Sequence, residues 1–195
     1  MQQHDKPIRA FLACSPSPQV RREIVSLQET FKKQIPAGVV SWVKPEDIHL
    51  TLKFLGNISA AQKETIQPLL METIAALPVF HLAPTGAGAF PSLSRPKVIW
   101  TGLTGETETL LNLQRRIDRA LTAAGFSEED RPFQGHLTLG RVKKTYASQE
   151  IAQSLSRARG FAGGQFQVDH ISLYKSDLTP DGAIYTLLRT FPLSR

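Results

Sequence analysis

Two segments of identical sequence, His49-Leu50-Thr51-Leu52 and His136-Leu137-Thr138-Leu139, are the residues of this chain best suited to chemistry. Side chains alternate along a strand, so each copy puts an imidazole and a hydroxyl on one face and two leucines on the other. The leucines suit a core and the polar pair suits a groove. One such segment means little, because Thr is common in strands and a single His there is commonly structural. Two copies of His-x-Thr arise by chance in about one chain in fifty of this length, from average residue frequencies, and the full identity is far rarer. Structure alone gives no reason to repeat the histidine. The two copies point to one site.

Imidazole has an unperturbed pKa near neutrality, so one histidine can act as a base while another acts as an acid. Cleavage of a phosphodiester needs both roles, one group taking a proton from water and the other protonating the departing oxygen. Hydroxyls beside them would donate to the non-bridging phosphate oxygens. The remaining histidines, His4, His81 and His170, show no HExxH or His-x-x-x-His spacing, and Thr is a poor zinc ligand, so no metal site is expected. No GxSxG or GxGxxG is present, and no cofactor is expected.

Basic residues flank both segments. By parity Lys53 continues the face of His49 and Thr51, whereas strict alternation points Arg141 away from His136 unless a strand end or bulge redirects it. Arg131, just ahead of the second segment, is a further candidate phosphate ligand. Trp42, Phe54, Phe133 and Tyr174 lie nearby in sequence and read mainly as core, although an exposed ring would stack on a nucleobase.

The elements that must position these groups are legible in outline. Strands are expected at Ile8–Cys14, Val39–Val43, Ile48–Leu55 (ended by Gly56-Asn57), Phe80–Phe90, Val98–Leu103, His136–Val142, Gln165–Tyr174 and Ala183–Phe191. Helices are expected from Ser17-Pro18 to Lys33, from a Ser59/Gln62 capping box to Ala76, from Glu106 to Ala124 with Gly125 beyond it, and from Ser148 to Arg159. Pro68 is expected to kink or split the second helix, and Thr179-Pro180-Asp181-Gly182 supplies a hairpin turn. The fold class is α+β with largely antiparallel sheets. No low-complexity segment or linker divides residues 1–195, which read as one domain.

Composition sets broader bounds. The chain has 195 residues, 41% of them hydrophobic, enough for a packed interior. A net charge of +6 and a pI near 9.7 favour anionic partners. With one cysteine, Cys14, neither an intramolecular disulfide nor a thiolate-rich zinc site can form. The polar start and the lack of a long apolar run predict a cytoplasmic protein without a membrane span.

The sequence resembles the 2H phosphoesterases, in particular their RNA 2',3'-cyclic phosphodiesterase (2'-5' RNA ligase-like) branch. The resemblance spans nearly the whole chain: Arg9-Ala-Phe-Leu, HLTLKFLG, Pro96-Lys-Val-Ile-Trp100, RPFQGHLTLGR, and the hairpin from Leu173-Tyr174 through Gly182 and Tyr185 to Pro192-Leu193. It implies a bilobal fold in which two similar lobes each give one motif strand to a central cleft. It implies metal-independent hydrolysis of RNA 2',3'-cyclic phosphate ends to 2'-phosphates, with weak reverse 2'-5' ligation, by a monomer. By position His49 would be the proton donor, His136 the proton acceptor, and Thr51, Thr138 and Arg141 the phosphate ligands. Gly135 stands where many relatives place proline, which would loosen the backbone leading to His136. Two other readings are a non-catalytic module that binds RNA ends and an enzyme acting on small cyclic nucleotides; the two histidines alone do not fix which is acid and which is base.

Overall fold

The computed structural model describes residues 6–128, 131–179 and 182–194. Among these, the strands are β1 (Ile8–Cys14), β2 (Val40–Trp42), β3 (Leu50–Ile58), β4 (Phe80–Phe90), β5 (Val98–Gly105), β6 (Leu137–Val142), β7 (Phe166–Val168), β8 (His170–Thr179) and β9 (Gly182–Pro192). The helices are α1 (Pro18–Gln34), α2 (Ala60–Ile74), α3 (Thr107–Ala123) and α4 (Ser148–Arg157). Short 3-10 turns at Pro45–Asp47 and Thr145–Ala147 complete the set. No helix among the described residues is long and apolar enough to cross a membrane.

Local chemistry accounts for the helix ends. The Ser17 hydroxyl accepts from the Val20 amide, and Pro18 sits in the first turn where its missing N–H costs nothing. Ser59 and Gln62 form the reciprocal capping box that opens α2. Gly125, at φ +88°, takes the left-handed position just after α3. Pro68 does not split α2. It lies on the exposed face, and the helix runs through it from Ala60 to Ile74.

The strands form one continuous antiparallel sheet in the order β7-β4-β5-β6-β3-β1-β8-β9, with β2 added alongside β6. The two halves meet where Leu50 of β3 pairs with Leu137 of β6. This gives the α+β, two-lobed arrangement, with both motif strands side by side at its centre. Leu50, Leu52, Leu137 and Leu139 are buried in a core shared with the apolar faces of the four helices. Burying each such side chain is worth about 1.5–3 kcal/mol, so the motif strands are anchored from beneath.

Three expectations need correction. Residues 165–174 are not one strand: β7 pairs with β4, Asp169 breaks the run, and β8 pairs with β1 and β9. A chain can pass from one end of the sheet to the other within one residue only because the sheet curls. Its ends are stitched by Leu193 N–H to Asp169 O (2.8 Å), Ser194 N–H to Leu77 O (2.8 Å) and Val79 N–H to Ser194 O (3.0 Å). Second, β3 does not end at Gly56-Asn57 but runs to Ile58, since β1 keeps pairing as far as Ile8 and Gly56 takes φ +68° within the strand. Third, Lys53 does not share the face of His49. Of the turn expected at Thr179–Gly182, Pro180 and Asp181 lie outside the described residues, while the Thr179 hydroxyl donates to Gly182 O at 2.7 Å.

Candidate active site

His49 and His136 stand one residue ahead of β3 and β6, and each is held by the backbone that leads to it. Nδ1 of His49 lies 2.6 Å from the Asp47 carbonyl, and Nδ1 of His136 lies 2.7 Å from that of Gln134. A carbonyl only accepts, so Nδ1 carries the proton in both rings and Nε2 is left for the cleft. The lead-ins share a pattern, Lys44-Pro45-x-x-x-His49 and Arg131-Pro132-x-x-x-His136, in which proline shapes the turn that delivers the carbonyl. That repeated proline was the available sequence signal for the tether. Gly135 is not simply loose. A Cβ there would lie 2.9 Å from Leu110 Cδ2, so the backbone runs close against α3.

Beyond the His-x-Thr pairs both strands bulge at the same motif position. On β3, Leu12 pairs with Lys53 and Ala13 with Thr51, leaving Leu52 unpaired; on β6, Ile99 pairs with Gly140 and Trp100 with Thr138, leaving Leu139 unpaired. Each bulge turns two successive residues inward and flips those that follow, on β3 as far as a second register shift at Leu55. Lys53 therefore enters the interior, where its ammonium pairs with Asp118 of α3 and donates to Ser127 O at 2.8 Å. Phe54 comes up on the histidine face in its place. The same flip on β6 brings Arg141 into the cleft, against strict alternation. Gly140 takes the inward position because a Cβ there would lie 2.5 Å from Val40 Cγ1. Gln28 of α1, almost fully buried, braces this bulge by donating to Leu139 O (2.7 Å) and Val43 O (2.9 Å).

The result is a cleft of about 690 Å³ that collects His49, Thr51, His136, Thr138 and Arg141. Among the described residues neither threonine hydroxyl has a hydrogen-bond partner and Arg141 has no ion pair, so all three are available to an anion. Rings frame each imidazole. Phe11 of β1 stacks on His49 at 4.8 Å and Tyr185 of β9 meets its edge at 5.2 Å, while Phe90 of β4 meets His136 edge-on at 5.0 Å. Burial lowers the His49 pKa to about 4; the Asp47 carbonyl opposes this, and Arg141 and His136 add to it. Burial likewise lowers His136, with the Gln134 carbonyl opposing and Arg141 adding to the fall. Tyr185 is raised by burial. Both imidazoles are thus neutral in the free protein at pH 7. Among the described residues no three His, Cys, Asp or Glu side chains gather to hold a metal.

Not every candidate arrives. Arg131 and Phe133 line a smaller side pocket of about 140 Å³ next to His136, and Trp42 stacks on Phe31 of α1. Tyr174 reaches the site through Phe11, which it stacks upon at 5.4 Å. The sequence reading missed Arg9, Phe11, Phe90 and Tyr185, all of which line the cleft. Phe11 and Arg9 sat within the quoted opening strand, two residues apart, and that period was the signal for a shared face.

The sequence profile of the 2'-5' RNA ligase superfamily matches residues 16–180. A Methanothermobacter thermautotrophicus protein named RNA 2',3'-cyclic phosphodiesterase is 33% identical over 186 residues, covering 95% of this chain and 99% of its own. The crystal structure of TT0787 from Thermus thermophilus matches with a TM-score of 0.78 at 26% identity, over 95% of this chain and 98% of that one. Apo LigT of E. coli matches with a TM-score of 0.76 at 25% identity, over 98% of this chain and all (100%) of the other.

Proposed function

This chain belongs to the 2'-5' RNA ligase superfamily, and on that premise we propose that it hydrolyses RNA 2',3'-cyclic phosphate ends to 2'-phosphomonoesters. One observation carries the reading: two imidazoles with matching backbone tethers leave their Nε2 atoms for one cleft that also holds two hydroxyls and a guanidinium.

The phosphate sits between the two motif strands, its non-bridging oxygens taken by Thr51, Thr138 and Arg141. His136, neutral at Nε2, takes a proton from water as the water oxygen bonds to phosphorus. The bond from phosphorus to O3' breaks, and protonated His49 gives its Nε2 proton to O3'. A 2'-phosphate and a free 3'-hydroxyl result. His49 is neutral in the free protein, so it takes up its proton with the substrate, whose negative charge replaces water around the ring and favours imidazolium. With an RNA 5'-hydroxyl in place of water, the same steps run forward: its oxygen bonds to phosphorus, the bond to O3' breaks with the proton from His49, and a 2'-5' linkage results, a reaction that abundant water keeps weak. Residues 1–195 act as a single two-lobed unit in this scheme, each lobe lending one His-x-Thr pair and the protein working as a monomer.

The test is incubation of a 2',3'-cyclic-phosphate oligonucleotide with the protein and a chelator, with the product's phosphate located by 31P NMR. The expected product is a 2'-phosphomonoester. Recovery of bound but intact cyclic phosphate would favour an RNA-end binding module, and loss of turnover with chelator would overturn the metal-independent reading.

A further inference from the structure

In-line displacement places the attacking water and the departing O3' on opposite sides of phosphorus. With His136 at the water and His49 at O3', the ribose lies on the His49 side, against Phe11 and Tyr185. The rest of the RNA hangs from that ribose through O5', so it must leave the cleft past β1 and β8–β9 rather than past β5.

A second cavity of about 540 Å³ opens on that flank, bounded by the start of β1, the end of β3 and the outer part of β8. Arg9, Ser176 and Leu178 line both it and the catalytic cleft, so the two form one continuous groove. Among the described residues its walls carry three cations, Lys6, Arg9 and Lys175, against one carboxylate, Asp177, which pairs with Lys175 at 2.9 Å. Arg9 stands two residues from Phe11, about 7 Å along an extended strand. The groove thus begins beside the ribose position and stays positive as it leaves. A smaller pocket, lined by Arg131 and Phe133, adjoins His136 and shares Thr51 and Phe54 with the cleft, and none of the residues of the basic groove lines it.

We propose that the groove of Lys6, Arg9 and Lys175 binds the phosphodiester backbone 5' to the cyclic end and selects RNA chains over cyclic mononucleotides. This rests on the phosphodiesterase reading and on His49 facing O3'. Backbone phosphates are the fitting ligand because the groove offers spaced cations. Binding by such cations is salt-dependent, through release of counterions.

The experiment compares wild type, the Lys6→Gln/Lys175→Gln double variant and Arg131→Gln on a 2',3'-cyclic mononucleotide and on a short oligonucleotide with the same terminal base, across salt concentrations. The double variant should raise the oligonucleotide KM about five- to tenfold and lessen its log–log salt slope by about 0.7 per lost phosphate contact. Its mononucleotide kinetics should stay at the wild-type level, Arg131→Gln should match wild type on both substrates, and thermal melts should coincide. Equal effects on both substrates, no effect on either, or a length-dependent loss in Arg131→Gln alone would overturn the proposal. Wild type that hydrolyses neither substrate would instead remove the phosphodiesterase reading beneath it.

Discussion

A neutral imidazole is a base, and in the free protein both His49 and His136 are neutral at pH 7, the first with a pKa near 4 and the second also below the usual 6.5. Acid–base work needs one ring protonated and the other not, a state whose population peaks between the two macroscopic pKa values. Because burial and Arg141 lower both, that peak lies on the acid side. The profile of kcat/KM, which reports the free enzyme, should therefore be a bell centred below pH 6.5, falling as pH rises because the pair loses its one proton. A plateau that extends above about pH 8 would contradict this. The tethers themselves are local, each ring bonding two residues back, and the repeated proline lead-in makes them legible in the sequence. The depression of the pKa values is not, since it depends on rings from β1, β4 and β9 closing around the imidazoles.

The paired bulges decide which side chains the motif strands present. Lys53 and Arg141 exchange the faces that simple alternation assigns them, one becoming structural and the other reaching the cleft. The cause is non-local: register with β1 and β5, Asp118 waiting on α3 beneath β3, and Gln28 on α1 beneath β6. Alternation within the His-Leu-Thr-Leu segments was readable because it needs no partner strand. The bulge beyond them was not, although Gly140 in a strand is a known mark of one. If Lys53 is structural, Lys53→Met should keep kcat/KM near wild type at a modest cost in stability. Asp118→Asn, which leaves a buried ammonium without its counter-charge, should cost about 3–5 kcal/mol by denaturant titration. A Lys53→Met variant that folds normally but loses turnover would put Lys53 back in the catalytic chemistry.

At the scale of the molecule, curling of the sheet brings its two ends together and sets the cleft across its centre. Leu193 holds that closure, with its side chain buried and its N–H bonded to Asp169 O at 2.8 Å. Leu193→Ala should cost about 2–5 kcal/mol by denaturant titration, as for other buried leucines, whereas a cost below about 0.5 kcal/mol would mean the ends need no stitching. The α+β class and most helix ends could be read from caps and periodicity. Closure could not, since it joins residues near 78, 169 and 194 through backbone groups that carry no sequence signature. The basic groove shares this property, being assembled from residues 6–9, 57 and 175–178.

The most direct test of the two-histidine cleft is a mutant cycle of His49→Asn, His136→Asn and the double variant on a 2',3'-cyclic-phosphate oligonucleotide. Each single variant should fold normally and lose about 10²–10⁴ in kcat, the span of general acid or base catalysis, with the double variant losing far less than the product of the two because the pair acts as a unit. Either single variant retaining wild-type turnover while folded would contradict the assignment.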